Sequence, residues 1–279
     1  MASRRRTIVG SPLTPGLLKQ LGLFSEFPPS PNGFEPGGNW VNTYRVWTCH
    51  GYRKSGNHDV GFLRIERGTG TPNGTFTLKA DQQIDHTEAA LNIIHAEIEC
   101  RNNALASPLH WRLSSRFVGP EGTPRSGLDA DEQVRVNGDT IEVTTNGRTV
   151  KREGSSRLTA DWCLFEAVQR LPFEKESHLA FDVLEGLSLL KRDHRLSYRG
   201  AITMTPENDI TLHGFHQLGH GTLPYEYWLD RHHRLVLAVT LSRVYILDDK
   251  AEEKTAAEIR RGRNEFHRMK RAYERGGVR

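Results

Sequence analysis

From Trp40 onward the chain alternates between apolar and polar positions with a period of two. In the segment NIIHAEIEC the apolar face collects alternate residues, namely Ile94, Ala96, Ile98 and Cys100. Similar segments, rich in β-branched and aromatic residues, recur up to Asp248 and are separated by turns rich in glycine. Such alternation is typical of half-buried β-strands. The pattern therefore predicts a mainly β domain over residues 39–249.

One segment within this domain has helical spacing instead. In LTADWCLFEAVQRLP the apolar residues recur three or four positions apart, at Leu164, Phe165, Val168 and Leu171. Thr159 is placed as an N-cap and Pro172 as a stop signal. A helix over 160–171 with one apolar stripe must cover something apolar, and the sheet is the available surface. The predicted fold is a curved antiparallel sheet or open barrel wrapped around one helix.

The two ends of the chain differ from the domain between them. Residues 1–38 predict a short amphipathic N-terminal helix, starting at Thr14, and a linker rich in proline and glycine. Residues 250–279 predict a longer, charged C-terminal helix with a thin apolar stripe formed by Ile259, Phe266, Met269 and Tyr273.

Charge is unevenly distributed along the chain. The whole protein carries a formal charge of +4, residues 250–279 carry +5 and Arg4, Arg5 and Arg6 add a further +3, so that residues 7–249 sum to −4. A basic nucleic-acid groove within the domain is therefore disfavoured. A protein partner for the C-terminal helix is one of the hypotheses that the charge leaves open.

The apolar runs are too short for a membrane span, which needs about 20 consecutive residues. The basic start MASRRR is not followed by the hydrophobic stretch of a secretory signal. We expect a cytoplasmic protein as the chain stands, or a periplasmic one if a signal peptide has been removed.

Five histidines fall between His213 and Leu235. Zinc needs ligand atoms within about 2.1 Å of one ion, whereas four residues of strand span about 13 Å. We therefore predict turns and a core histidine here, with no metal and no cofactor. His95, Glu97 and Glu99 share one strand face, and a solvated face is favoured over a cation site there.

The three cysteines, Cys49, Cys100 and Cys163, are far apart and odd in number. Their spacing indicates no disulfide framework, and at most one bridge can form. Cys163 lies near the start of the predicted helix, where a nucleophilic thiol is one hypothesis. Packing as a small apolar residue is the favoured one.

The last strands predict a specific register. With GHGT as the turn, Leu218 faces Leu223, so His216 pairs with Tyr225 and shares its face. The next turn, DRHHR, then places Leu237 opposite Tyr227 and Val239 opposite Tyr225. One apolar face with a few polar tips results, and such a face is typical of small-molecule sites.

The leading hypothesis is a protein that binds an apolar or amphiphilic small molecule in the concave face of the sheet. The predicted ligand-binding residues are His216, Tyr225, Tyr227, Leu237, Val239 and Phe165. A packed core with satisfied hydroxyl groups is the alternative for these residues. The two alternative functions are an enzyme that uses His216 as acid or base in the same cavity, and a scaffold that acts through the C-terminal helix.

The order of elements also resembles a known group of folds. A run of strands, one helix and more strands, followed by Trp228, Leu229 and Asp230 in the closing hairpin, resembles the open half-barrel domains of bacterial envelope proteins. These include periplasmic lipoprotein carriers and a related uncharacterised domain, and the similarity in order covers residues 40–248. The resemblance implies one sheet curled around a helix, with room for acyl chains or other apolar ligands.

Overall fold

A computed structural model describes most of the chain. The described residues are 27–31, 33–48, 58–86, 90–119, 122–125, 127–174, 178–203, 210–240 and 242–276. The predicted N-terminal helix falls outside these residues. No helix within the described part is long and apolar enough to cross a membrane.

The predicted β-rich fold is confirmed as one large, curved, open sheet with helices at its centre and at the C-terminal end. Its strands are β1 (Trp40–Thr48), β2 (His58–Arg67), β3 (Thr75–His86), β4 (Ala90–Arg101), β5 (Pro108–Val118), β6 (Ala130–Asn137), β7 (Thr140–Thr145), β8 (Arg148–Glu153), β9 (Leu158–Ala160), β10 (His178–Glu185), β11 (Leu189–Thr203), β12 (Thr211–Gly219), β13 (Thr222–Leu229), β14 (Leu235–Val239) and β15 (Arg243–Leu247). The helices are α1 (Asp161–Ala167), which continues as a 3-10 turn over Val168–Arg170, and α2 (Ala251–Gly276).

The strands follow one another across the sheet in two meanders. The hydrogen-bonded order runs from β8 back to β1, then through β15 back to β9. Neighbours are antiparallel except β9 and β10, which are parallel. The order therefore ends in two edge strands, β8 and β9, which are not paired with each other. We call the space between these edges the seam.

The sheet curls around α1 and its 3-10 extension. Phe165 of α1 contacts Tyr44, Tyr227 and Tyr245, with ring centroids 5.4, 6.1 and 5.4 Å apart and all three pairs edge-on. In the extension, the side-chain oxygen of Gln169 accepts a hydrogen bond of 3.0 Å from the backbone of Leu235. These partners lie on four neighbouring strands, so the helix packs against the middle of the sheet.

A buried ion-pair cluster fixes α1 against β2. Glu166 is fully buried and accepts a hydrogen bond of 2.9 Å from Arg67 Nε and another of 2.9 Å from Arg170. Arg67 also donates to the backbone oxygens of Gly38 and Gly68. A buried carboxylate needs such partners because its desolvation is costly. The cluster therefore determines where α1 lies on the concave face of the sheet.

The start of α1 differs from the sequence prediction in one detail. The N-cap is Ala160, which provides no side-chain hydrogen bond, and not Thr159. The hydroxyl group of Thr159 donates to the carbonyl oxygen of Leu105 instead, at 2.7 Å. Asp161 lies in the first turn as predicted, and one of its carboxylate oxygens accepts a hydrogen bond from the backbone of Gly186 at 2.8 Å.

The segment LVLAVTLSRVYIL, read as one final strand, is two strands. β14 and β15 pair with each other, and Val239 faces Val244. Thr240 makes the turn, because its hydroxyl oxygen accepts hydrogen bonds from the backbone of Ser242 and Arg243 at 3.2 and 2.9 Å. Such a hydroxyl-to-backbone turn ends a strand even within an apolar run.

The C-terminal helix is confirmed and contacts β1 and β2 near its start. Ala251 and Thr255 are buried there, and Lys254 forms an ion pair of 2.7 Å with Asp248. Further along the helix, Met269 and Tyr273 are 59% and 74% exposed. The helix is therefore buried near its start, while the last two residues of the predicted apolar stripe lie largely in solvent.

Candidate functional site

Two β-bulges change the predicted register of the last strands. At the turn the pairing is as predicted, with Gly219 facing Thr222. Two residues further along β12, however, Gln217 faces Tyr225, where the prediction placed His216. The extra residue lies on β13 at Leu223 and Pro224, where the proline lacks the N–H that would continue the ladder. A second bulge occurs on β14, where Leu229 faces Leu235 as predicted but Trp228 faces Leu237.

The bulges separate the predicted ligand-binding residues onto two faces. His216 faces Glu226, Val239 also faces Glu226, and Leu237 faces Trp228, so all three point away from the tyrosines. The prediction that they share the face of Tyr225 and Tyr227 is therefore wrong. A shift of one residue moves a whole strand to the opposite face, which explains why three residues fail together.

Tyr225, Tyr227 and Phe165 do lie on one side of the sheet. We call the surface formed by Tyr225 and Tyr227 the tyrosine wall. The rings of Tyr225 and Tyr227 stack 6.3 Å apart, and Phe165 packs edge-on against Tyr227. Tyr227 is 1% exposed and Phe165 is 3% exposed. Burial raises the pKa of both tyrosines. The helix thus occupies the concavity that the sequence assigned to a ligand.

A chain of hydrogen bonds runs from the tyrosine wall into the core. The hydroxyl group of Tyr227 donates to the side-chain oxygen of Gln217 at 2.9 Å, and the Gln217 amide lies 3.0 Å from Nδ1 of His194. Because an amide nitrogen donates, Nδ1 accepts, and the neutral ring carries its proton on Nε2. Burial lowers the pKa of His194, which favours this neutral form.

The tyrosine wall borders a very small cavity beside Asp161. It measures about 10 Å³ and is lined by Asp161, Leu164, Val183, Glu185, Gln217, Thr222, Tyr225 and Tyr227. Asp161 Oδ1 and Thr222 Oγ1 are both buried and have no hydrogen-bond partner among the described residues. Burial raises the pKa of Asp161 to about 7. A volume of this size suits one water molecule and is too small for an organic ligand.

Of the five histidines between His213 and Leu235, three lie in turns as predicted, but two of the five meet on one aromatic ring. His213 and His233 stack on Phe173, each with a centroid distance of 3.8 Å and nearly parallel planes. Nδ1 of His213 lies 2.9 Å from the hydroxyl group of Tyr198. Burial lowers the pKa of both histidines. The ring between the two histidines keeps them from sharing an ion.

Two residues of the charged face predicted on β4, His95 and Glu97, line a broad groove of about 710 Å³. His95 is paired with Asp81 at 2.6 Å, and Glu99 with His110 at 2.8 Å. His95 and Glu99 are thus already paired with a neighbouring side chain. Across the described residues, no three His, Cys, Asp or Glu side chains are grouped closely enough to hold a metal ion.

A different groove lies in the seam, and we call it the seam groove. Its volume is about 550 Å³, and it is lined by Ile141, Val143, Arg152, Glu153, Leu184, Leu187, Ser188, Leu189, Leu190 and Arg192. The aliphatic residues come from β7 on one side and from the hairpin of β10 and β11 on the other. Leu189 is 55% exposed, so the groove presents apolar surface to water.

Polar contacts cross the seam beside this apolar surface. Arg152 donates to the carbonyl oxygen of Ser188 at 3.0 Å, and Arg192 forms an ion pair of 2.9 Å with Glu153. Asp182 accepts a hydrogen bond of 2.6 Å from Ser155, and this bond, with a second one from the backbone of Asp193 and the charges of Arg157 and Arg192, lowers the pKa of Asp182 despite burial. Side chains therefore hold β8 near the hairpin of β10 and β11, although β8 and β9 are not paired through their backbones.

Sequence reasoning missed the seam groove because it did not identify β8. A signal for this strand is present at Asn146 and Gly147, a dipeptide typical of a two-residue hairpin turn. Both residues have the positive φ that such a turn requires, at 51° and 78°. The segment RTVKRE after the turn is short and highly charged, as expected of an edge strand. Closeness to β10 was not readable from local pattern.

Comparisons with known proteins give no family. No protein-family model matches the chain, and no curated protein does. Among solved structures it is similar to a β-barrel-like protein, a domain of unknown function, DUF1849, from Brucella abortus. The identity is 8% and the TM-score 0.46, over 76% of this chain and 96% of that one. A similarity of this size carries no argument about a ligand, so the site rests on this chain's own residues.

Proposed function

We propose that this protein binds an amphiphilic small molecule with an anionic head and that the ligand lies in the seam groove. The observation that carries the proposal is an open groove of about 550 Å³ with an apolar floor, at the place where the sheet stays unpaired. Small-molecule sites are commonly 300–1,000 Å³ in volume and mostly apolar. On the concave face, which α1 occupies, the cavity beside Tyr225 and Tyr227 measures only about 10 Å³.

The floor of the groove suits an acyl chain. Five aliphatic residues contribute to it, namely Ile141, Val143, Leu184, Leu187 and Leu190. Burial of apolar surface contributes about 25 cal/mol per Å², so a chain of several methylene groups gains several kcal/mol. A chain held along this floor would also cover part of Leu189.

The rim of the groove suits an anionic head. On β8, Arg152 faces Ile141 and Val150 faces Val143, and Arg148 follows on the same face because side chains alternate. Arg152 uses one donor on Ser188. A guanidinium group has five N–H donors, so others stay available for a carboxylate or phosphate.

The enzyme hypothesis has less support from the geometry. His216 faces away from both tyrosines, and the cavity beside Asp161, at about 10 Å³, has room for no more than one water molecule. Asp161, with a pKa near 7, is a better acid or base than His216. A substrate has no room beside it, so the binding hypothesis is favoured.

The test is a titration with a fluorescently labelled long-chain fatty acid. Val150→Asp places a carboxylate on the groove face of an exposed strand, and we expect the affinity to fall at least about tenfold, because an apolar chain would then meet a charge. Thr149→Asp makes a comparable change on the opposite face of β8 and should leave the affinity within about twofold.

A second pair of variants tests the head. Arg152→Glu should weaken the labelled fatty acid clearly more than Lys151→Glu, which changes charge equally but faces the other way. A labelled fatty alcohol should distinguish the two variants much less. Equal effects within both pairs, or no saturable binding by the unmodified protein, would exclude the seam groove as the site.

A further inference from the structure

Two buried thiols face each other between the helix and the sheet. Cys100 lies on β4 and Cys163 on α1, and their Sγ atoms are 3.8 Å apart. Both residues are fully buried, and both are free cysteines. They are 63 positions apart in sequence, so the spacing of the cysteines gave no sign of this contact.

The distance is within reach of a covalent bond. A disulfide has an S–S length of about 2.05 Å, and rotation about the Cα–Cβ bond of each cysteine can move its Sγ atom. The two residues belong to the elements that form the core, with Phe165 two positions beyond Cys163. Either the pair remains two packed thiols, or it becomes a link between the sheet and the helix that fills it.

We propose that Cys100 and Cys163 form an intramolecular disulfide when the chain folds in the presence of a small-molecule disulfide such as oxidised glutathione. The thiolate of one cysteine attacks the oxidant and forms a mixed disulfide, releasing one glutathione thiolate. The thiolate of the other cysteine then displaces the second glutathione. Two protein thiols are oxidised, one glutathione disulfide is reduced, and the two thiol protons pass to the two glutathione thiolates.

The surroundings of the two cysteines determine when the disulfide forms. Burial raises the pKa of Cys100 well above its usual value, and the neighbouring Cys163 raises it further. The thiol form is a poor nucleophile, so the folded, reduced protein reacts slowly. The bond therefore forms during folding, before α1 closes over β4, and its presence depends on the redox state of the compartment.

The experiment refolds the full chain carrying Cys49→Ser, which removes the third thiol. Reduced, unfolded protein is diluted into buffer with reduced and oxidised glutathione, or with reduced glutathione alone. We expect an intact mass about 2 Da lower in the first case only, and a tryptic peptide pair joined through Cys100 and Cys163. Recovery of the fold is followed by far-UV circular dichroism.

Cys163→Ala in the same background is the matched control. It keeps a small apolar residue in the core and has no partner for Cys100, so it should show one free thiol or one glutathione adduct. Two free thiols, or adducts on both cysteines, in the correctly refolded parent would overturn the proposal.

If refolding in vitro fails, the free thiols are counted instead on protein that has been exported to an oxidising compartment. Two reactive thiols in that protein would also overturn the proposal. The disulfide is independent of ligand binding in the seam groove, so the fatty-acid titration can succeed or fail whatever the thiol count shows.

Discussion

The tyrosine wall and the seam groove are both lined by apolar side chains with polar groups beside them, yet only the seam groove is open. Tyr227 is covered by Phe165 and hydrogen-bonded to Gln217. Leu189 in the groove is 55% exposed, whereas Ile141 and Leu184, which line the same groove, are each 2% exposed. Composition alone therefore does not separate a core from a binding site; the decisive fact is whether the chain supplies its own occupant.

The largest expected effect comes from removing that occupant. Phe165→Ala should lower the free energy of unfolding by about 3–5 kcal/mol, because it leaves a cavity among three tyrosines. Val150→Ala, at a 55% exposed position on the same face of β8 as Arg152, should change it by less than about 0.5 kcal/mol. Urea unfolding followed by tryptophan fluorescence measures both. Equal losses in the two variants would mean that the wall is not a packed core.

A similar loss is expected when α1 loses its ion-pair cluster. Glu166→Ala leaves Arg67 buried without its carboxylate, which costs about 3–5 kcal/mol of stability. Glu265→Ala removes a carboxylate that pairs with Arg268 on the exposed part of α2, and should cost close to nothing. Thermal unfolding compares the two. A mild effect of Glu166→Ala would show that the cluster does not hold the helix in place.

A smaller effect is expected within the hydrogen-bond chain. Tyr227→Phe leaves the buried oxygen of Gln217 without its donor, at a cost of about 1–3 kcal/mol. Tyr225→Phe removes a hydroxyl group from a half-buried ring and should cost less. If chemical unfolding shows equally small losses for the two substitutions, the hydrogen bond from Tyr227 to Gln217 does not stabilise the packing of the tyrosine wall.

The smallest effect concerns pH. The pKa of Asp161 is raised to about 7 in the folded protein, so between pH 4 and 7 the folded state binds more protons than the unfolded one. Stability from the neutral acid is thus present at low pH and is lost as pH rises to 7. Asp161→Asn should reduce the change in the free energy of unfolding between pH 4 and 7 by on the order of 1 kcal/mol.

Asp59, whose pKa is raised to about 6 by burial, titrates in the same direction in both proteins. The difference between the unmodified protein and Asp161→Asn therefore isolates Asp161. Unfolding curves at several pH values provide the measurement. Parallel pH profiles would show that the carboxyl group beside the tyrosine wall is not buried in solution.

The sequence predicted the sheet, its central helix and the C-terminal helix because each has a clear periodicity. Alternation along β4 identified Ile98 and Cys100 as inward residues, and both are buried. The register beyond Gln217 was not readable by parity alone, because a bulge adds one residue and reverses the faces. Pro224 was the available warning, since a proline within a strand favours such an irregularity.

The seam groove was out of reach for a different reason. Ile141 and Leu184 are far apart in sequence and belong to strands that do not pair with each other. Their meeting depends on the curvature of the whole sheet around α1, which no local pattern encodes. The aliphatic character of each residue was visible, but the open space between them was not.

The most direct test of ligand binding in the seam groove is photo-crosslinking with a fatty acid that carries a diazirine on its acyl chain. After irradiation and digestion, we predict adducts on peptides that contain Ile141–Arg152 and Leu184–Leu190, and their loss in Val150→Asp. Adducts concentrated instead on β12 to β14, or labelling that excess unlabelled fatty acid does not reduce, would contradict the account.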